Sequence, residues 1–260
     1  MTDVQTFWLD VTDKSATEQA LRELNPDVIL HTVALTNVDE CESNPTLAHQ
    51  INVEATQNIA SIASELEAKM VHISTDQLFD GLEAWKTEDD APTPLNVYGK
   101  TKQLAESAVI DQNKTSLVIR TNFFGWGLPP RSSFSDWILR GLDQRQELTM
   151  FTDVFFTPIL IDHLVDTVFS LVEQNGSGIF NVVGADRLSK YDFAMQLADT
   201  FNYPTDKVRA TSVSDFDYRA ARPNDMSLST EKLAQYLGQP IPRIADGLNQ
   251  LYVSHADHGQ

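Results

Sequence analysis

Apolar runs of four or five residues alternate with amphipathic stretches along the first two-thirds of the chain. Thr6-Phe7-Trp8-Leu9 reads as a short strand. Residues 15–24 follow with Ala16, Ala20, Leu21 and Leu24 at helical spacing. Val28-Ile29-Leu30-His31-Thr32, just after the turn residues Pro26-Asp27, is too short for a helix and predicts a strand. Residues 45–66 predict one long helix, with Asn44 as its cap and Pro45 in its first turn. Met70-Val71-His72-Ile73-Ser74 and Ser116-Leu117-Val118-Ile119-Arg120 predict buried strands, with a helix over 98–108 between them. A helix over 161–172, a strand at Ile179-Phe180-Asn181-Val182-Val183 and a helix over 189–201 follow. Beyond Phe201, Tyr203-Pro204, Arg222-Pro223 and Pro240-Ile241-Pro242 break the pattern into shorter helices, and a frayed tail is expected from Ser254.

Strands apolar on both faces and separated by helices indicate βαβ units, whose parallel sheet is covered on both sides. The expected fold is therefore α/β: a Rossmann-like, doubly wound parallel sheet with a small irregular C-terminal lobe. Residues 1–125 and 151–185 are assigned to the sheet domain, and 126–150 and 186–260 to the lobe.

Charge narrows the partners. Nineteen Lys and Arg against 37 Asp and Glu in 260 residues give a net charge of -18. Such a surface repels phosphate backbones and anionic lipid, so neither a nucleic acid nor a membrane is expected as partner. No apolar run approaches the roughly 20 residues that a bilayer helix needs. Met1-Thr2-Asp3 does not open a secretory signal, and a lone Cys41 makes no internal disulfide. A cytoplasmic protein is expected.

A dinucleotide site commonly announces itself as G-x-G-x-x-G, where only glycine lets backbone amides approach a pyrophosphate. Here the first glycine is Gly81, and Pro130 and Asn181 interrupt the later candidates. Chemistry is carried instead by Tyr98 and Lys102, one helical turn apart on one face. A phenol ionises near pH 10 and is a poor acid–base catalyst at neutrality. An ammonium one turn away is expected to favour the phenolate and bring the phenol toward useful acidity. The same spacing occurs on surface helices, and Thr75 has the alternative of satisfying its own turn. Ser74-Thr75-Asp76, however, ends a predicted parallel strand, where ligands bind in open α/β sheets. Strand end, hydroxyl, phenol and ammonium in this order point to catalysis.

Ile73-Ser74-Thr75-Asp76-Gln77-Leu78-Phe79-Asp80-Gly81 and Pro94-Leu95-Asn96-Val97-Tyr98-Gly99-Lys100-Thr101-Lys102 resemble the dTDP-4-dehydrorhamnose reductases. These are extended short-chain dehydrogenases that reduce a nucleotide-sugar ketone with NADPH or NADH. His31 to Asp39, Ile51 to Glu54, Arg120 to Gly125 and Ala221-Arg222-Pro223 extend the resemblance over most of the chain. It implies Thr75, Tyr98 and Lys102 as the catalytic set. It places Asp10, Val11, Ala34, Leu35 and Thr36 by the cofactor, together with Tyr98 and Lys102. It places Thr75, Asp76 and Phe123 by the sugar nucleotide, and Arg222 by its diphosphate, a surface ion pair being the alternative for Arg222. Family members begin with a strand, a glycine-rich turn and a helix; this chain starts after them, so its sheet is expected without its first strand and helix. Gln77 stands where the family usually has an aromatic residue, and Phe123 where it usually has a tryptophan. The sugar, the nucleotide and the choice of NADH or NADPH are left open.

Three readings follow from the resemblance: a reductase of nucleotide-linked 4-keto deoxysugars, a regulatory relative similar to the beta subunit of methionine adenosyltransferase, or a fragment of the reductase. A homodimer, or a partner covering the absent strand, is an accompanying expectation. His31, His49 and His72 lack metal-ligand spacing and read as structural, and Glu88-Asp89-Asp90 as a solvated turn. The aromatic segments 123–127 and 134–139 fit either a substrate lid or core packing.

Overall fold

The protein is described by a computed structural model over residues 4–128 and 132–258. Its first half comprises α1 (Lys14–Leu24), β1 (Val28–His31), α2 (Val38–Ser43), α3 (Pro45–His49), α4 (Ala55–Glu65), β2 (Lys69–Ile73), α5 (Val97–Gln112) and β3 (Leu117–Arg120). Then come β4 (Phe123–Phe124), α6 (Phe134–Asp143), β5 (Leu148–Phe151), β6 (Phe155–Phe156), β7 (Ile159–Leu160), α7 (Ile161–Glu173) and β8 (Gly178–Asn181). The remainder is β9 (Leu188–Ser189), α8 (Lys190–Thr200), β10 (Val208–Thr211), α9 (Glu231–Leu237) and α10 (Ile244–His258).

β1, β2, β3 and β8 lie side by side in that order, all parallel, with Leu30 opposite Val71, His72 opposite Val118 and Ile119 opposite Phe180. Alternation along the strands supplies both faces of the sheet. Met70 and Val118 pack against Ile59 and Ala63 of α4 and Val109 of α5. Val71, Leu117 and Ile119 turn the other way, onto Leu164, Val168 and Leu171 of α7 and Leu233 of α9. This is the doubly wound arrangement that the hydrophobic pattern predicts. A second core joins α6, α8 and α10 to β5 through Ile138, Leu142, Leu148, Met150, Phe193, Leu197 and Leu248.

Three local expectations change. Thr6 to Leu9 is irregular chain rather than strand, with Phe7 58% and Trp8 88% exposed. No described strand pairs with it, and without a ladder its amides have only solvent as partner. The outer edge of β1 is also unpaired among the described residues, leaving Val28 and Leu30 42% and 52% exposed. The expected helix over 45–66 is split into α3 and α4 by one wider π turn, Gln50–Glu54. Asn44 caps it by position only, since its side chain bonds no helix amide. The tail expected from Ser254 is helical through His258, where the Ser254 hydroxyl accepts from Trp126 Nε1 at 3.0 Å. The last two residues lie outside the described ones.

Candidate active site

The C-terminal ends of β1, β2 and β3 open together, and the first turn of α5 closes over them. Asn96 sets that turn: its Oδ1 accepts from Gly99 N at 2.9 Å, and its Nδ2 donates to Ala221 O at 2.9 Å. Gly99 allows the close approach, because a Cβ there would lie 2.4 Å from the Gln77 carbonyl oxygen. From the other side, the π turn delivers buried Asn52, which accepts from Leu35 N at 2.7 Å and donates to Thr101 Oγ1 at 3.0 Å. The loop after β1 is thereby fastened to the helix that carries Tyr98. A π turn inside a helix commonly marks such a functional position.

Thr75, Tyr98 and Lys102 converge on one cavity of about 360 Å³, lined also by Ala34, Thr36, Asp76 and Phe123. A second cavity of about 750 Å³ shares Gln77 and Asn122 with the first and is walled by Trp137, Lys190, Tyr218 and Arg222. Thr75, Tyr98, Lys102, Ala34, Thr36, Asp76, Phe123 and Arg222 are therefore brought to adjoining cavities. Asp10, Val11 and Leu35 are not. The Asp10 carboxylate accepts from Thr12 N and Oγ1 at 3.0 and 2.7 Å, while Val11 packs beside the Ile59 cluster and Leu35 beside Tyr98 and Cys41.

The electrostatics depart from the expected pairing of Tyr98 with Lys102. Burial pushes the Tyr98 phenol up to about 12, its hydrogen bond with Thr75 opposing and the Asp76 charge adding to the rise. Lys102 does not bring it down, because its Nζ is committed elsewhere: it donates to Ile73 O at 2.7 Å and lies 3.0 Å from His72 Nε2. Burial lowers Lys102 to about 8, against the nearby Glu106 carboxylate. Burial also keeps His72 well below its ordinary value, so it is neutral and can accept from the ammonium. Asp76 rises to about 6 through burial; the Lys190 charge and the Asn122 amide, 2.6 Å from Oδ2, hold it back.

Arg222 makes the ion pair of its alternative reading and also reaches a cavity. Its Nη2 bonds Asp39 Oδ2 at 2.7 Å, and its side chain still lines the larger cavity. Of the aromatic segments, Phe124 is core, whereas Trp137 is 45% exposed and lines the larger cavity. Glu88 of the acidic turn is not simply solvated, since it accepts from Asn181 N at 2.8 Å. Asn122 and Lys190 escaped the sequence reading as site residues. Asn122 stood inside a matched motif, but Lys190 carries no local signal beyond being a lysine at the start of an amphipathic helix.

Ser74 Oγ and Thr121 Oγ1 are buried without partners at the strand ends beside Lys102, and both residues line the smaller cavity. That wall suits a ribose and a nicotinamide ring. No glycine turn among the described residues faces it for a pyrophosphate, since the first glycine is Gly81. Among the described residues there is also no cluster suited to a metal ion, and no helix long and apolar enough to cross a membrane.

Residues 2–256 match the family model described as the RmlD substrate binding domain. The chain belongs to the RmlD substrate-binding-domain family. Within its wider circle, the dTDP-4-dehydrorhamnose reductase of Salmonella typhimurium is 30% identical over 94% of this chain and 85% of its own length. The methionine adenosyltransferase 2 subunit beta of Rattus norvegicus is also 30% identical, over 90% of this chain and 72% of its own. Among solved structures, the dTDP-4-dehydrorhamnose reductase of Bacillus anthracis in complex with NADP superposes with a TM-score of 0.90 at 27% identity, covering 95% of this chain and 87% of that one. That superposition takes in both the parallel sheet and the second core, since it covers 95% of this chain.

Proposed function

We propose that this RmlD-family protein is an NAD(P)H-dependent reductase that converts the 4-keto group of a nucleotide-linked deoxysugar into an alcohol, in the cytoplasm. The observation that carries this reading is the convergence of Thr75, Tyr98 and Lys102 on one cavity at the strand ends. NAD(P)H, when bound, supplies the hydride to C4. Tyr98 gives its phenolic proton to the carbonyl oxygen; a phenol pushed up to about 12 is fully protonated at neutral pH and available as the acid. The Thr75 hydroxyl, which also takes Gln77 N at 3.2 Å, orients the carbonyl beside it. Lys102 holds the nicotinamide ribose with the N–H that Ile73 O and His72 Nε2 leave free.

In this reading Ala34, Leu35 and Thr36 flank the cofactor's ribose and phosphates, and Asp10 and Val11 its adenine side. Asp76 and Phe123 hold the sugar, and Arg222 exchanges part of its ion pair with Asp39 for the diphosphate. Residues 1–125 and 151–185 serve the cofactor, and 126–150 and 186–260 the sugar nucleotide. The partner is this nucleotide sugar and no nucleic acid, in keeping with the net charge of -18. The regulatory-subunit reading is the weaker one, because it leaves the buried Tyr98 and Lys102 without a task. The test is loss of NADPH absorbance in the presence of dTDP-4-dehydrorhamnose. Wild type turns over, Tyr98→Phe loses about a hundredfold or more of the rate, and a wild type that leaves NADPH and NADH untouched refutes the assignment.

A further inference from the structure

The larger cavity contains a cation that the reaction, as described, does not use. Lys190 opens α8, its backbone amide donating to Val154 O at 3.0 Å. Its side chain runs over two aromatic faces, with Nζ 3.2 Å from the centroid of Phe156 and 4.9 Å from that of Phe134. It makes no hydrogen bond or ion pair with any described residue. A ring face attracts an ammonium but accepts none of its three N–H groups in the way water does. Arg222, the other cation on this cavity, is already bonded to Asp39. Burial draws Lys190 down to about 8, and the charge that opposes this is the Asp76 carboxylate.

Gln77 is the complementary feature. Its Oε1 is buried without a hydrogen-bond partner, and the residue lines the same cavity as Lys190. The lining of the larger cavity therefore includes a residue with an unmatched donor and one with an unmatched acceptor. A hydroxyl satisfies both, since it accepts from one and donates to the other. A diphosphate or carboxylate cannot: it would gain Lys190 but meet the Gln77 oxygen and the Asp76 charge.

We propose that Lys190 is the specificity-determining contact to a ring hydroxyl of the sugar, donating to its oxygen while Gln77 Oε1 accepts a hydrogen bond from its O–H. The assignment rests on the nucleotide-sugar reductase reading. It places the hydroxyl on the part of the ring facing away from Tyr98, because Lys190 and Tyr98 line different cavities that meet at Gln77 and Asn122.

The test compares two probes, dTDP and dTDP-L-rhamnose, titrated calorimetrically into wild type and Lys190→Met. The expected result is a loss of about tenfold or more in affinity for the sugar nucleotide, with dTDP affinity unchanged and an unaltered melting curve. Equal losses for both probes would put Lys190 on the diphosphate, and no loss for either would make it purely structural; both results overturn the proposal. If the methionine variant does not fold, Lys190→Leu, which likewise has no donor, must show the same split. A wild type that binds neither probe fails the reductase reading itself, whereas a wild type that binds both and a variant that does not discriminate fails only the proposal for Lys190.

Discussion

The ammonium of Lys102 lies 3.0 Å from His72 Nε2 and donates to the Ile73 carbonyl at 2.7 Å. The lysine is thus anchored on β2, two residues before Thr75, and not on the phenol one turn away. For His72 Nε2 to accept, its proton must sit on Nδ1, which is buried without a partner. A neutral histidine at this position makes the placement of Lys102 depend on its own protonation.

Lys102 is lowered to about 8, so its charge is present below that pH and lost above it. The kcat/KM profile should therefore fall on the alkaline side with an apparent pKa near 8. Lys102→Arg, which stays charged at every pH used, should remove this limb while lowering kcat. An unchanged limb in the arginine variant would mean that another group titrates.

Gly99→Ala tests the contact that brings α5 onto the loop carrying Thr75 and Gln77. The new Cβ would lie 2.4 Å from Gln77 O and 2.8 Å from Pro94 Cβ, so backbone must move. The expected cost is about 1–3 kcal/mol in urea unfolding, with kcat down roughly a hundredfold because Tyr98 shifts relative to Thr75. Wild-type kcat in this variant would show that the approach is not needed.

Arg120 and Glu106 form a pair sealed in the interior, with side chains 2% and 4% exposed and Nη2 2.8 Å from Oε2. Arg120→Met strands a buried carboxylate and should cost about 3–5 kcal/mol by denaturant titration. Adding Glu106→Met should recover a large part of that loss, because the stranded charge is then gone. A double variant weaker than the single one would contradict this account.

His31, bonded through Nε2 to Thr56 Oγ1 at 3.0 Å, is lowered by burial from 6.5 to about 4. Between those values the unfolded chain binds a proton that the folded one does not, so stability falls as pH drops below about 6.5. Against pH 7, the loss at pH 5 from His31 is on the order of 2 kcal/mol. Asp76 acts in the opposite sense: raised from 3.8 to about 6, it binds its proton more readily in the folded state and offsets part of the loss. His31→Gln should show a shallower decline than wild type when unfolding free energies are compared from pH 7 to 5. Parallel declines would remove His31 from the explanation.

The sequence by itself determined the strands ending at His31, Ile73 and Arg120, the helices between them, and the register that puts Tyr98 and Lys102 on one face. It also placed Thr75 at a strand end. These are matters of local periodicity and capping, which depend on residues a few positions apart. Thr6 to Leu9 shows the limit of such patterns: the apolar run is there, but a strand exists only where a neighbouring ladder receives it. Tertiary structure alone decided the partners and the charges. His72 meets Lys102 from 30 positions away, Asp39 meets Arg222 from 183, and the Asp76 charge acts on Lys190. Tyr98 became a weaker acid than its spacing to Lys102 implies because burial, which spacing does not report, outweighs a neighbouring charge already engaged elsewhere.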